Sequence, residues 1–252
     1  LSGGNLLPID MEEGDVEIEF RLNLVPSAPY LLHNGYLIIP TELGKVVGVN
    51  PRTGERDWSF SPSASVRGGL AVDGDTVYAP AFRGGVMAAG VEEGDIRWSW
   101  TPSKAEISRC IPTAKNGMVY VGDNHGFVHC IDGDIGLPQW RYPVGSPVEA
   151  CVALPGKRLL VTTHEGDTVC LSMSGSDRLL WTYPHSASLV GRGTGKVYLL
   201  TTDNRLCAVS MDGGKELWSR DLPEGMKAVG GGKGQLYLYT PAGDVIALSE
   251  SD

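Results

Sequence analysis

The amino-acid sequence predicts an all-β protein, a six-bladed β-propeller of four-stranded antiparallel blades, and three observations lead to this prediction. Aromatic residues recur at intervals of about 40 positions. The segments between them are short, β-branched or aromatic, and bounded by glycine and proline, as expected for strands and turns. No segment has the period of a long amphipathic helix. The recurring aromatic residues are Phe20, Trp58, Trp98, Trp140, Trp181 and Trp218.

The composition fits one sizeable globular unit. The chain has 252 residues, of which 42% are hydrophobic and 20% charged, and its net charge is −9. An acidic surface without a basic patch disfavours nucleic-acid binding. No apolar run approaches the about 20 residues that cross a bilayer, so we expect no membrane insertion. We interpret residues 1–252 as a single propeller domain and a monomer; because the chain starts at Leu1, it is compatible with being part of a longer protein.

Each repeat contains the same four strands in the same order. After a short inner strand and a turn comes a buried-looking second strand, such as "TVYAP" (76–80) or "MVYVG" (118–122). The third strand carries one small residue, and after a polar turn the fourth strand carries the aromatic residue. The small residue leaves room for the large ring in the space between two blades. The small residues are Gly48, Ala88, Cys130, Cys170, Ala208 and Ala247.

The two ends of the chain predict how the last blade is completed. Residues 8–20 match residues 88–100, which form the end of a third strand, a turn and a fourth strand. The chain stops just after a third strand, at "GDVIALSESD" (243–252). We therefore expect the N-terminal segment to supply the outer strand of the last blade, which removes two sheet edges. Residues 4–9 are a surplus strand-like piece, and seven blades with incomplete ends are the alternative.

The five cysteines are interpreted as structural. Cys130 and Cys170 occupy the small-residue position, where a free thiol acts as a small hydrophobe. Cys110 and Cys151 fall in the innermost strands of adjacent repeats, one position out of register. A disulfide between them is the alternative interpretation.

The pattern of a small residue, a polar turn with glycine and then tryptophan resembles the pyrroloquinoline-quinone-type (quinoprotein-like) propeller repeat, most closely at "VVGVNPRTGERDWSF" (46–60). That family includes quinone-dependent alcohol and glucose dehydrogenases. It also includes non-enzymatic members, such as the outer-membrane assembly lipoprotein of the barrel-assembly machinery and propellers attached to bacterial kinases as sensors. The resemblance implies that the enzymatic members use a vicinal cysteine disulfide and calcium ligands. This chain has no adjacent cysteines, so we expect the non-enzymatic branch, with no catalytic residue, no cofactor and no metal.

The sequence predicts a binding surface on one face of the propeller. Loops that lead into the inner strands share this face with the loops between second and third strands. A mixture of guanidinium, imidazole and carboxylate groups there suits a protein, a peptide or a small anionic ligand. Arg67 and Arg109 are the strongest candidates, with pairing to Glu149 as the structural alternative. The candidate residues are Arg67, Arg83, Arg109, His125, Glu149, His164, His185 and Lys227.

The leading functional hypothesis is a non-catalytic binding module for protein–protein interaction or ligand sensing, for which the sensor domain of a larger bacterial protein is one setting. A quinone-dependent dehydrogenase and an exported scaffold similar to the outer-membrane assembly factor are the alternatives. The family resemblance favours an extracytoplasmic location, periplasmic or at the cell surface, although the unpaired cysteines also suit the cytoplasm.

Overall fold

The computed structural model describes residues 5–6, 20–103, 106–230, 235–240 and 242–248. Within these residues every helix or strand assigned is a β-strand. The chain divides into two compact units, residues 1–153 (unit 1) and 154–252 (unit 2). Among the described residues no helix is long and apolar enough to cross a membrane.

Apart from the two N-terminal strands, the strands form six antiparallel sheets, the blades, in which chain order is also the order in space. Blade 1 contains β3 (Leu31–His33), β4 (Tyr36–Pro40), β5 (Val46–Val49) and β6 (Arg56–Phe60). Blade 2 contains β7 (Ala71–Asp73), β8 (Thr76–Pro80), β9 (Val86–Gly90) and β10 (Ile96–Trp100). Blade 3 contains β11 (Thr113–Lys115), β12 (Met118–Gly122), β13 (Phe127–Asp132) and β14 (Pro138–Pro143). Blade 4 contains β15 (Val148–Leu154), β16 (Arg158–Thr163), β17 (Thr168–Ser172) and β18 (Leu179–Tyr183).

The remaining strands complete blades 5 and 6. Blade 5 contains β19 (Ala187–Gly193), β20 (Lys196–Thr201), β21 (Arg205–Ser210) and β22 (Glu216–Asp221). Blade 6 has three strands among the described residues, β23 (Lys227–Gly230), β24 (Leu236–Tyr239) and β25 (Val245–Leu248). The prediction of an all-β, six-bladed β-propeller is confirmed, and the assignment of one domain stays a prediction.

The N-terminal segment is described in part. β1 (Asn5–Leu6) and β2 (Phe20–Arg21) pair as a small antiparallel sheet. The predicted outer strand at residues 8–20 lies outside the described residues except for Phe20. The Phe20 ring contacts Gly54 in the turn of blade 1, where a Cβ would lie 2.5 Å from the ring. Phe20 therefore meets blade 1 in the way that an outer-strand aromatic residue meets the following blade.

Local sequence explains the tight inner hairpins. Asn34–Gly35 connects β3 to β4, and Asn116–Gly117 connects β11 to β12. All four of these residues have positive φ, between 48° and 79°. Two-residue turns of this handedness match the twist of antiparallel strands, and Asn-Gly tolerates the backbone best. The second strands that follow, β4 and β12, are each buried at four of their five positions, so both faces of these strands are covered.

Each outer tryptophan lies opposite the small residue of the third strand. The paired positions are Gly48 and Trp58, Ala88 and Trp98, Cys130 and Trp140, Cys170 and Trp181, and Ala208 and Trp218. A bulge follows each of these pairs. The predicted relation between small and large residues is thus confirmed in blades 1–5, and for Ala247 in blade 6 it stays a prediction.

The tryptophan also joins its blade to the next one, through a glycine in the polar turn. A Cβ on Gly94 would lie 2.8 Å from the Trp58 ring, and Gly94 has φ +68°. Gly136 has the same relation to Trp98 in unit 1. In unit 2, Gly214 has the same relation to Trp181. Glycine is therefore required at this position for two reasons: the turn needs a positive φ, and the tryptophan ring leaves no space for a Cβ.

An indole hydrogen bond accompanies two of these joints. Trp98 Nε1 donates to the Gly133 carbonyl at 2.7 Å, and Trp181 Nε1 donates to the Met211 carbonyl at 2.8 Å. Trp58 Nε1 is buried and has no hydrogen-bond partner among the described residues.

Candidate functional site

Three loops of unit 1 lie side by side and bring several predicted residues together. The Arg83 amide donates to the Ile107 carbonyl at 3.0 Å. The Asn124 amide donates to the Glu106 carbonyl at 3.0 Å, and the Glu106 amide donates to Asn124 Oδ1 at 3.2 Å. The segment before β11 thus bridges the loop after β8 and the loop after β12. We call residues 82–85, 106–109 and 123–127 the loop face of unit 1.

Two of the predicted arginines are paired with glutamates. Arg67 Nη1 lies 2.8 Å from Glu42 Oε1. Arg83 Nε lies 3.5 Å from Glu106 Oε2. Both pairs are solvent-exposed, so each contributes little to stability. Arg67 is therefore paired, although with Glu42 rather than with Glu149.

Arg109 has a different environment, on an aromatic ring. Its Cζ lies 5.3 Å from the centre of the Phe82 ring, and Arg83 Cζ lies 5.4 Å from the same centre. Among the described residues, Arg109 forms no ion pair with a carboxylate. A guanidinium held on a ring keeps its N–H groups available for an incoming acceptor. The half-buried Phe82 and the exposed Arg83 and Arg109 thus form an aromatic–arginine cluster.

A cleft of about 670 Å³ opens beside the loop face of unit 1. Its volume falls within the range of ligand pockets in proteins. The ring of Trp100 lies on one wall, 5.2 Å from the ring of His129. The lining residues are Trp100, Thr101, Pro102, Ser103, Asp123, His125, Phe127, His129, Pro138, Gln139, Trp140 and Arg141.

Asp123 organises both the loop and the cleft. Its Oδ1 accepts the amide N–H groups of His125 and Phe127, each at 2.9 Å. Its Oδ2 lies 2.7 Å from His129 Nε2. Asp123 has no exposed surface, and His129 is 5% exposed. One buried carboxylate therefore fixes the loop backbone and the orientation of the imidazole at the same time.

The environment favours the ionised form of Asp123. Burial opposes ionisation, but the hydrogen bond from His129 and the N–H groups of Phe127 and His125 outweigh it, so the pKa of this carboxyl lies below its ordinary value. An ionised carboxylate can only accept hydrogen bonds, so His129 Nε2 carries the proton in this contact.

Asp123 and His129 depart from the repeat, which is the signal that sequence reasoning missed. In blades 1, 2, 4 and 5, the residue five positions after the start of the second strand is a threonine or alanine, and the residue six positions further on is apolar or cysteine. The residues corresponding to Asp123 are Thr41, Ala81, Thr163 and Thr201, and those corresponding to His129 are Val47, Met87, Val169 and Cys207. Comparing the blades position by position identifies the pair.

The predicted residues of unit 2 are placed in its loops and strand ends. Ser186 Oγ donates to the carbonyls of Thr163 and His164, at 2.6 and 3.2 Å, which places the loops of His164 and His185 side by side. The His185 ring lies 5.1 Å from the Tyr183 ring. Lys227 begins β23. His125, in unit 1, lines the cleft. Among the described residues no cluster of three or more histidine, cysteine, aspartate or glutamate residues could hold a metal ion.

The cysteine pair of unit 1 is close but reduced. Cys110 Sγ and Cys151 Sγ lie 3.9 Å apart, and both residues are buried. Their backbones are brought together by hydrogen bonds from the Ile111 amide to the Glu149 carbonyl and from the Cys151 amide to the Ile111 carbonyl. All five cysteines are free.

Comparison with known proteins identifies related chains. The family model described as outer membrane protein assembly factor BamB matches residues 42–150 and 124–252. BamB of Yersinia pestis is 22% identical over 235 residues, which cover 81% of this chain and 59% of that protein. The quinohemoprotein alcohol dehydrogenase ADH IIB of Pseudomonas putida is 26% identical over 162 residues, which cover 56% of this chain and 24% of that enzyme.

Solved structures agree on the fold. The crystal structure of BamB from Moraxella catarrhalis matches with a TM-score of 0.72 at 18% identity, covering 94% of this chain and 78% of that one. The chain spans less than two thirds of the length of the curated relatives named above.

Proposed function

The chain belongs to the family of the outer membrane protein assembly factor BamB, and on this premise we propose that it is a non-catalytic scaffold that binds other proteins. The matched residues, 42–150 and 124–252, include every complete blade except the start of blade 1. We further propose that the loop face of unit 1 is the principal contact surface and that the protein works outside the cytoplasm, in outer-membrane assembly. It needs no nucleic acid and no cofactor for this role.

The observation that carries the proposal is the composition of the loop face. Arg109 and Arg83 both lie over Phe82, exposed to solvent, and only Arg83 has a carboxylate partner among the described residues. Arginine and aromatic side chains dominate the energetically important centres of protein interfaces. The net charge of the chain is −9, so a cationic centre on this face stands out against the rest of the surface and would orient an acidic partner.

The second candidate function is that of a quinone-dependent dehydrogenase. It is favoured by the similarity to the Pseudomonas putida enzyme, which extends over 162 residues. The sequence lacks the adjacent cysteines that the enzymatic members of the repeat family carry. We therefore place it second and include it in the test.

The test uses the full chain, tagged and expressed in its own bacterium. After cross-linking in the cell, co-purified proteins are quantified for the wild type, for the Arg83→Glu/Arg109→Glu variant and for the control Arg52→Glu/Arg220→Glu. The control makes the same change in net charge at two exposed arginines that are not loop-face residues. We expect proteins of outer-membrane assembly to co-purify with the wild type and the control. We expect the loop-face variant to lose most of them.

Two results would contradict the proposal. Equal co-purification by the loop-face variant and the control would move the contact surface elsewhere. A saturable absorbance change on adding pyrroloquinoline quinone and Ca²⁺, together with oxidation of an alcohol by an artificial electron acceptor, would establish the dehydrogenase instead.

A further inference from the structure

The cleft beside the loop face of unit 1 contains a feature that the fold itself does not require. A buried ionised aspartate with a histidine is costly to desolvate, and apolar residues of similar volume usually serve stability as well. The other blades build the same turn with threonine or alanine and an apolar residue or cysteine. Blade 3 alone, among blades 1–5, combines Asp123 with His129. We therefore infer that the pair has a role other than closing this turn.

The pair presents the imidazole to the cleft in one fixed orientation. His129 Nε2 donates to Asp123 Oδ2 at 2.7 Å, and this is the one hydrogen bond of the ring among the described residues. The ring also lies against Trp100, with 5.2 Å between the ring centres and 56° between their planes. His129 and Trp100 both line the cleft. Together they form an aromatic corner in which Nδ1 remains available for a hydrogen bond.

Around this corner a positive charge lacks a negative partner among the described residues. Arg141 is exposed at the edge of the cleft, with its Cζ 4.9 Å from the centre of the Phe127 ring, and it forms no ion pair among the described residues. The one carboxylate in the lining is Asp123, and His129 and two amide N–H groups already compensate it. The cleft therefore offers the aromatic corner of Trp100 and His129 next to a guanidinium that has no carboxylate partner among the described residues, which complements an aromatic ring with a nearby negative charge.

We propose that this cleft binds a segment of a partner protein in which an aromatic side chain is flanked by an acidic residue. The aromatic ring lies against Trp100 and His129, and the acidic side chain meets Arg141 at the edge. This inference rests on the proposed function and gives the chemistry of the partner. The location next to the loop face allows the same partner to contact Phe82 and Arg109 from the neighbouring loops.

The test uses the full chain labelled with ¹⁵N at its tryptophans, which gives six indole signals. The Trp100 signal is assigned with Trp100→Phe. Three capped tripeptides are titrated: Asp-Phe-Asp, Lys-Phe-Lys and Asp-Ala-Asp. We expect saturable movement of the Trp100 signal with the first peptide and at least about 10-fold weaker binding of the other two, which each lack one of the two recognised groups.

Matched variants locate the binding. Arg141→Gln should weaken the binding of Asp-Phe-Asp by at least about 5-fold, since it removes the charge-assisted contact. Arg220→Gln, at an exposed arginine of β22, should leave it unchanged. The Asp123→Thr/His129→Val variant gives blade 3 the residues of blade 1, so it should fold and should lose most of the binding.

Several outcomes would overturn the proposal. These are equal affinity for the acidic and basic peptides, unchanged binding by the Asp123→Thr/His129→Val variant, and no movement of the Trp100 signal at about 5 mM peptide. If peptide binding fails while co-purification still depends on Arg83 and Arg109, the scaffold function stands and the cleft is not its anchor. If the peptide binds while co-purification does not depend on those arginines, the cleft stands as a peptide-binding site and the loop face is not the contact surface.

Discussion

Asp123 accepts a hydrogen bond of 2.7 Å from His129 at a place where blades 1, 2, 4 and 5 have no ionisable carboxylate–histidine pair. The carboxylate is fully buried and also accepts two amide N–H groups. The contact links loop conformation, imidazole orientation and the shape of the cleft. We therefore expect the loss of stability to depend on whether one residue of the pair or both are replaced.

Removing one partner should be far more harmful than removing both. Asp123→Ala leaves His129 buried and unpaired and frees two amide N–H groups, so we expect a loss of about 3–5 kcal/mol in the free energy of unfolding. Asp123→Thr/His129→Val should lose no more than about 2 kcal/mol, because it restores the combination found in blade 1. Urea unfolding measures both. A double variant that is as unstable as Asp123→Ala would show that the contact between Asp123 and His129 itself holds blade 3.

The tryptophan joints should differ in what their indole N–H groups contribute. Trp98→Phe removes the shorter of two hydrogen bonds to the buried Gly133 carbonyl, which the Tyr78 hydroxyl also reaches at 3.3 Å, so we expect a loss of about 2 kcal/mol including lost packing. Trp58→Phe removes an N–H that already lacks a partner among the described residues, which offsets part of the lost packing. It should therefore cost at least about 1 kcal/mol less. Chemical unfolding of both variants tests the difference, and equal losses would contradict it.

The turn glycines should separate backbone strain from packing. Gly94→Ala places a Cβ 2.8 Å from the Trp58 ring at φ +68°, whereas Gly74→Ala places one at φ +59° with no atom within 4 Å. Both substitutions incur the strain of a left-handed backbone, but only the first displaces the ring. We expect Gly94→Ala to be less stable than Gly74→Ala by about 1–3 kcal/mol, measured by urea unfolding. Similar stabilities would mean that the ring moves aside freely.

Acid should weaken blade 2 through one ion pair. The Arg97 guanidinium donates two hydrogen bonds of 2.8 Å to the Asp75 carboxylate. This contact lowers the pKa of Asp75 from 3.8 to about 2. Because folding favours the ionised form, the stabilisation is present above pH 3.8 and is lost as the pH falls towards about 2.

The Asp75→Asn variant checks this assignment. It should be less stable than the wild type at neutral pH, and the difference should shrink between pH 4 and about 2 because the wild type loses its ion pair there. Asp57→Asn, at an exposed carboxylate in β6, should follow the wild-type profile. Urea unfolding at a series of pH values gives the comparison, and a difference that stays constant down to about pH 2 would exclude the ion pair as its source.

The thiols should be unreactive in the folded protein. All five cysteines are buried, and burial raises the pKa of Cys170 to about 12. Because the thiolate is the reactive form, iodoacetamide at pH 8 should modify the native chain at least about 100-fold more slowly than the chain in urea. Mass spectrometry of timed samples measures this. Fast modification of one thiol would identify a locally open strand.

Much of the fold could be predicted from the sequence because each repeat places a small residue opposite a large aromatic ring, and this steric requirement fixes the spacing of both. The positions of Cys130 and Cys170 in the third strands follow from the space that a large ring needs on the opposite strand. The partner of the ring in the next blade was not predicted. The turn alone is a sufficient reason for a glycine. The sequence therefore does not distinguish Gly94, which an aromatic ring covers, from a turn glycine such as Gly74, which has no atom within 4 Å of its Cβ position.

The site was less predictable, because loops do not repeat. Arg83, Arg109 and His125 were assigned to one face, and hydrogen bonds of unit 1 bring their loops together. The partner of Arg67 was not foreseen, since Glu42 is 25 residues away in the previous blade. His129 was missed because a histidine within a strand reads as an ordinary buried residue until its register with Asp123 is known.

The joint between an outer aromatic ring and the turn glycine of the following repeat connects residues fewer than about 40 positions apart, as with Trp58 and Gly94. Such a link can close as soon as the next repeat has left the ribosome, without waiting for the rest of the chain. Synthesis at about 5–20 residues per second then gives each new sheet a finished neighbour within seconds, which shortens the time that its apolar face is open to aggregation.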